Sequence, residues 1–399
     1  MKNLPVSPRI TEVIPALRAI LTQSGLSPII SCVNNELVAG LGKSKKKFDD
    51  LLDGVDGLYI DESEPSKAIQ SFADQHMEKN FISGLVFIKD TGLLGVGFSI
   101  EEATLYIHEF LQGTTTTTPD ETEKSGRVRN RIIIVTGGAM GIGRGIVDEM
   151  VDEGGYVVIA DMNEEAGRNT ENEINGHKGE KRVLFVKCDV TDPDSVKNLI
   201  LNTVKEYGGL DVLISNAGIL KAGSLEELDE NTFELVTDVN YKGFFICVKY
   251  CTPVMKLQNR YNPSLYMDII QINSKSGLAG SNKNFAYAGS KFGSIGLVQS
   301  FALELIPDHI KVNAVCPGNY FEGPLWSDPV NGLFAQYLRT GKVPGAENIQ
   351  DVRKFYESKV PMGRGCTPRD IVKTIYYLIE QEYETGQAIP VTGGQIMIN

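Results

Sequence analysis

The sequence predicts an α/β protein: a parallel sheet with helices on both faces, preceded by a smaller α/β domain. Three observations carry this. After residue 130, apolar runs alternate regularly with helical patterns, as strand–helix–strand units do in a sheet covered on both sides. Before residue 113 the alternation is shorter and less regular. Between them stand five threonines, 114–118, then a proline and a polar stretch without apolar period. Residues 113–130 are therefore expected to form an exposed linker. A chain of 399 residues suits two domains, because single cores rarely grow beyond roughly 250–300 residues.

In the first block, residues 1–112, strands are expected at 29–30 and 85–88. Helices are expected at 10–21, 66–72 and 100–111, where apolar residues recur at three- and four-residue spacing. In the second block, residues 131–399, strands are expected at 131–135, 156–160, 183–186, 212–214, 269–272 and 312–316.

A net charge of -12 argues against nucleic acid, whose phosphates need a basic face. No apolar run approaches the ~20 residues that span a bilayer, and residues 1–10 lack the apolar core of a signal peptide. Six cysteines without a C-x-x-C pair and four scattered histidines (His76, His108, His177, His309) offer no metal site. A cytoplasmic protein with reduced thiols is expected.

The chemistry begins where strand 132–135 runs into Thr136-Gly137-Gly138-Ala139-Met140-Gly141-Ile142-Gly143, followed by a helical pattern at 146–151. Glycines let this turn approach a pyrophosphate closely, and the helix start attracts its charge. This predicts a Rossmann-type doubly wound sheet binding a dinucleotide through Gly137, Gly141, Ile142 and Gly143. The next strand ends in Asp161, 18 residues after Gly143, where a carboxylate can accept both ribose hydroxyls. A 2'-phosphate would meet that carboxylate, and neither Met162 nor Asn163 compensates. NAD is therefore expected over NADP. Arg144 is read as a helix-surface residue rather than a phosphate clamp.

Tyr287 and Lys291 lie four residues apart in a helical stretch, 285–305, so an ammonium can act on a phenol. A free tyrosine has a pKa of about 10, and lowering it requires a stabilised phenolate. Ser274 follows strand 269–272, Asn216-Ala217-Gly218 closes strand 212–214, and Asp189-Val190 and Pro317-Gly318 follow two further strands. Strand ends are where ligands sit in such sheets.

With these motifs in order, residues 131–397 resemble the short-chain dehydrogenase/reductase family. The resemblance rests on T-G-x-x-x-G-x-G, the D-V pair, S-N-A-G, Val239-Asn240, a serine thirteen residues before tyrosine, Y-x-x-x-K and P-G. It implies that Tyr287 is the general acid/base, while Lys291 holds the nicotinamide ribose and depresses the tyrosine pKa. It likewise implies that Ser274 orients the substrate oxygen and Asn240 holds a water in a proton relay. Asp189 and Val190 would meet adenine, and Asn216, Ala217 and Gly218 would pack on the cofactor, as would Pro317 and Gly318. The chain departs from the family pattern at Ser215, at Thr392, and at Glu322, which stands near a usual threonine. The backbone N–H of Tyr320 is then expected to serve the carboxamide.

Longer strings, 269–277, 359–366 and 391–395, resemble the sorbitol-6-phosphate dehydrogenase branch of that family. This implies NAD-dependent oxidation of a sugar-alcohol phosphate, sorbitol 6-phosphate to fructose 6-phosphate, by a homo-oligomer, tetramer or dimer. A phosphate needs a cation, and Lys275, Lys221 and Arg364 are the candidates. The alternatives are an unphosphorylated polyol or other secondary alcohol as substrate, or a non-catalytic cofactor-bound scaffold. Residues 319–356, rich in proline and aromatics, are expected to cover the substrate as a lid.

In the first block, residues 84–97 resemble the closing strand pair of a class II aldolase. With only His76 and His108 there, far apart, an active metal aldolase is not expected. Either an assembly module or an inert relic fits this region.

Overall fold

The computed structural model describes residues 7–23, 26–41, 44–52, 55–112, 126–330, 332–339 and 341–397. The amino-terminal region runs α1 (Ile10–Leu21), β1 (Ile29–Val33), α2 (Glu36–Leu41), α3 (Lys45–Asp49), β2 (Gly57–Ile60), α4 (Pro65–Lys79), β3 (Gly84–Ile88), β4 (Gly92–Gly97) and α5 (Ile100–Gln112). Its four strands form one mixed sheet, ordered β1-β4-β3-β2. β3 and β4 are an antiparallel hairpin, turned at Asp90 in the left-handed region with φ 59°. The glycine-rich stretch 92–97 is thus a strand, and its glycines have a packing reason. A side chain on Gly95 would meet the Ala103 carbonyl of α5 at 1.8 Å.

The second region begins β5 (Ile132–Thr136), α6 (Gly141–Asp152), β6 (Tyr156–Asp161), α7 (Glu164–Lys178), β7 (Val183–Lys187), α8 (Pro193–Tyr207) and β8 (Val212–Ser215). It continues α9 (Glu230–Thr237), α10 (Gly243–Tyr261), β9 (Met267–Ile272), α11 (Phe285–Leu305) and β10 (Ile310–Pro317). It ends α12 (Pro324–Ser327), α13 (Leu333–Arg339), α14 (Ile349–Ser358), α15 (Pro368–Glu380) and β11 (Ala388–Val391). The sheet has seven strands, all parallel, in the order β11-β10-β9-β8-β5-β6-β7. Strand order reverses next to β5, the first of them, so β5 and β8 diverge around a crevice at their carboxyl ends. The expected doubly wound α/β architecture is therefore observed, with β11 as a seventh strand that its proline-containing, half-buried sequence did not announce.

The two regions share a core. Ile10, Ile14 and Leu17 of α1 belong to the same buried cluster as Tyr207, Leu210, Cys251 and Val254, and α1 packs on α8 and α10. Arg18 crosses this boundary with 1% exposure and meets Asp211, itself at 2%. Its Nη1 and Nη2 donate to the two carboxylate oxygens at 2.8 Å each. Of the predicted linker, residues 113–125 lie outside the described residues. Residues 126–130 contradict the expectation of an exposed tether. Val128 and Asn130 are buried, and Asn130 Nδ2 donates to the carbonyls of Ser27 and Phe98. The Asn130 side chain thus serves buried hydrogen bonds instead of solvent.

Among the described residues, no helix is long and apolar enough to cross a membrane. No group of three His, Cys, Asp or Glu side chains could hold a metal there.

Candidate active site

The carboxyl ends of β5, β6, β8, β9 and β10 open into one cavity of about 810 Å³. Its floor is the turn between β5 and α6. Gly137 and Gly141 take φ of 62° and 61°, a region that costs residues with a Cβ. A side chain on Gly143 would strike the Gly137 carbonyl at 2.0 Å. The turn therefore leaves its backbone bare at the amino end of α6, a fit for pyrophosphate. Thr136, which the motif included without assigning it a role, stitches the crevice together. Its Oγ1 accepts from the N–H groups of both Asn216 and Ala217 at 3.0 Å.

Asp161 closes β6. Its Oδ2 accepts from Ala139 N–H at 3.1 Å and its Oδ1 from Asn163 N–H at 2.9 Å, which fixes the carboxylate at the cavity edge. Met140 and Met162 line the same cavity as exposed apolar side chains, 49% and 64% accessible. The fixed glycine turn, the carboxylate and this apolar rim together fit a nicotinamide dinucleotide. Arg144 is committed elsewhere: it pairs with Asp148 and Glu173 and donates to Thr170. Asp189, Val190, Asn216, Ala217, Gly218, Pro317, Gly318 and Tyr320 line the same cavity, as expected.

The catalytic group assembles from two elements. β9 ends at Ile272, and Asn273 then turns the chain. Asn273 Oδ1 accepts from Ser274 N–H at 2.8 Å, and its Nδ2 donates to the Lys291 carbonyl at 3.0 Å. That side chain locks the Ser274 turn onto α11, and the sequence carried no motif for it. Tyr287 and Lys291 point from α11 into the cavity with Ser274. Burial pushes the Tyr287 phenol above its ordinary value, opposed by the Ser274 hydroxyl beside it. Burial also brings Lys291 down to about 8, and the neighbouring Cys316 thiol acts weakly the other way. The Lys291 ammonium lies 5.8 Å from the Tyr287 ring centroid and donates to the Ile272 carbonyl at 2.9 Å. Without a bound nicotinamide, burial therefore sets the Tyr287 phenol, and the Lys291 ammonium is held on the Ile272 carbonyl nearby.

Asn240 and Arg364 stand apart from the cavity lining. Asn240 is buried in a one-turn π-helix at Asp238–Lys242. Its Oδ1 accepts from Ile219 N–H at 2.8 Å, and its Nδ2 donates to the Ile219 carbonyl at 2.9 Å and to Ser290 Oγ at 3.1 Å. With its side chain so engaged, Asn240 positions the strand-end loop of β8. Arg364 is exposed and bidentate to Asp370 at 2.6 and 2.9 Å. Asp370 completes the capping box of α15 with Thr367. The guanidinium holds the Asp370 carboxyl well below the usual carboxylate range. Arg364 thus serves a helix start and not a substrate. Lys275 and Lys221 do line the cavity. Glu322, at the position of the usual threonine, is ion-paired with Arg353.

The segment after β10 covers the cavity, and Trp326, Tyr337, Lys342 and Tyr356 face into it. Trp326 packs edge-on against Phe321 and Tyr356, giving the cover a small core of its own.

Residues 131–324 match the sequence profile of the short chain dehydrogenase family. Sorbitol-6-phosphate 2-dehydrogenase from Escherichia coli is 32% identical over 271 residues, covering 67% of this chain and 99% of that protein. A 3-oxoacyl-[acyl-carrier-protein] reductase from Thermotoga maritima is 31% identical over 273 residues, covering 68% of this chain and all of that one. The crystal structure of sorbitol-6-phosphate 2-dehydrogenase from Erwinia amylovora superposes with a TM-score of 0.60 at 32% identity. It covers 67% of this chain and 100% of that one. On the site geometry and these matches together, the chain belongs to the short-chain dehydrogenase family.

Proposed function

We propose that this oxidoreductase oxidises a sugar-alcohol phosphate with NAD, sorbitol 6-phosphate to fructose 6-phosphate being the reaction that fits best. The observation that carries this is the charge of the cavity. Its two carboxylates, Asp161 and Asp189, stand at the adenosine end, while its substrate end holds Lys221, Lys275 and Lys342 and no acid. An anionic substrate is favoured where cations are left without carboxylate partners. Two of the relatives carry sorbitol 6-phosphate in their names. NAD is favoured over NADP because Asp161 would repel a 2'-phosphate, and Arg144 is tied to two acids.

A bound nicotinamide ring supplies the hydride acceptor. Ser274 aims the substrate hydroxyl by hydrogen bonding, and Tyr287 takes its proton at the phenolic oxygen. Lys291 supplies positive charge beneath the phenol and, with its donors, a hold for the nicotinamide ribose. The cover formed by α12–α14 excludes water from the exchange. A screen of polyols with and without phosphate, against NAD and NADP, tests the reading. Faster NAD reduction with the phosphorylated polyol is expected. Turnover of free polyols alone moves the assignment to an unphosphorylated substrate, and equal rates with both cofactors remove the role given to Asp161.

A homo-oligomer is part of this proposal. Phe233, Leu235, Tyr241, Phe245, Phe292 and Leu303 are exposed on α9, α10, α11 and the π-turn between them, an apolar group larger than scattered surface residues. A Cβ on Gly289 or Gly296 of α11 would meet nothing, so a second helix can approach closely. Light scattering should show a dimer or tetramer that Phe245→Asp dissociates. A monomeric wild type would sink the idea.

A further inference from the structure

The sequence directed attention to three phosphate candidates, and the structure removes Arg364 while adding a residue no motif marked. Lys342 stands between α13 and α14, in the cover over the cavity, and lines it together with Tyr337 and Tyr356. Its ammonium sits 4.0 Å from the Tyr337 ring centroid. Tyr337 stacks on Tyr356, ring centroids 5.3 Å apart at 30°. Lys359 lies over Phe355 at 4.0 Å and over Tyr356 at 5.5 Å. Two ammonium groups therefore lie over one aromatic cluster of the cover.

Cation–π contacts hold these ammonium groups in place without using up their N–H donors. Among the described residues, neither Lys342 nor Lys359 has an ion-pair partner. Burial lowers the Lys342 pKa, and the charges of Lys283 and Lys359 lower it further. Lys283, in the turn before α11, is felt in turn by Glu227, whose carboxylate is already occupied by Ser224 N–H. Like charges converging without a counterion are costly unless an anion joins them. Lys275, behind Ser274, is half-buried and its pKa is lowered by burial alone.

We propose that Lys342 is the anchor for the substrate's distal phosphate, carried by the cover and opposed across the cavity by Lys275. This rests on the polyol-phosphate reading above. The reacting end of the substrate sits on Ser274 and Tyr287, and the phosphate lies outward, where the cover closes. Because Lys342 belongs to the cover, the phosphate ties the cover to the catalytic floor of the site. A substrate without phosphate forfeits that tie.

The experiment is steady-state kinetics of wild type, Lys342→Gln and Lys342→Arg with phosphorylated and free polyol. A charge-assisted phosphate contact is worth about tenfold to hundredfold in affinity. Lys342→Gln should raise KM for the phosphate ester by that factor more than for the free polyol, and Lys342→Arg should restore most of it. Equal effects on the two substrates overturn the proposal. Should the wild type oxidise no phosphate ester, the functional reading falls first. The lysine is then judged by thermal shift with inorganic phosphate. Stabilisation of the wild type that Lys342→Gln loses sustains the anion site, whereas an equal shift in both, or none in either, overturns it.

Discussion

Asp211 at the amino ends of the seven-stranded sheet and Lys291 at its carboxyl ends handle buried charge in opposite ways. At the amino ends of the strands, Asp211 accepts four hydrogen bonds. Two come from Arg18, one from Ile132 N–H at 2.8 Å and one from Gln258 Nε2 at 3.2 Å. Arg18 in turn donates to the carbonyls of Pro28 and Asn130. Burial pushes the Asp211 carboxyl up, but the Arg18 charge and hydrogen bonds, with help from Arg131, bring it below its ordinary value. At the carboxyl ends, Lys291 has one carbonyl partner, and burial outweighs the Ser274 hydroxyl at the Tyr287 phenol. A saturated charge network fixes structure. An unsaturated one stores the cost of desolvation for a ligand to relieve.

The comparison breaks most sharply at Tyr287. Tyr287→Phe removes the acid/base hydroxyl and should lower kcat by about 10²–10⁴, while unfolding free energy moves by no more than about 1 kcal/mol. Undiminished turnover would mean that Tyr287 is not the proton carrier. Arg18→Met is the converse change. Breaking one partner out of a buried pair costs about 3–5 kcal/mol, so denaturant midpoints should fall steeply while kcat per folded molecule stays put. A midpoint near that of the wild type would show that the amino-terminal region is not held by this pair.

The smallest effect is a pH dependence. Lys291 titrates at about 8 in the fold against an ordinary 10.5. Below pH 8 both folded and unfolded states carry the proton, and the fold bears the cost of burying the charge. Between 8 and 10.5 the unfolded state binds more protons, so stability rises with pH, by up to about 1.4 kcal/mol per unit. In cofactor-free protein, wild type should gain on Lys291→Met across that window. A difference flat in pH would show that Lys291 is not destabilised by burial.

Legibility follows the same division. The glycine turn, Asp161, Ser274, Tyr287 and Lys291 were readable because each belongs to a spacing along one strand end or one helix face. The structure gathers them at one cavity. Asn273 and Thr136 were not readable, since their side chains bond to elements 18 and about 80 residues away. Arg364 was misread because a basic residue in a loop looks the same whether it faces a phosphate or a capping carboxylate. The hairpin β3–β4 was half visible: its apolar run announced β3, while β4 was offered only by the resemblance to a strand pair, its glycines being required by a partner helix that no local pattern names.

By itself, the sequence determined the alternation of strands and helices, the dinucleotide turn and the order of the catalytic groups. These depend on periodicities of two and 3.6 residues and on local backbone freedom, all of which are properties of adjacent residues. Only the tertiary structure decided that the amino-terminal region shares a core with α8 and α10, that Arg18 finds Asp211 across 193 residues, and that Lys342 comes to the cavity. Such contacts depend on where packed helices and a folded cover bring distant chain segments together. Nothing in the neighbouring residues of either partner records that meeting.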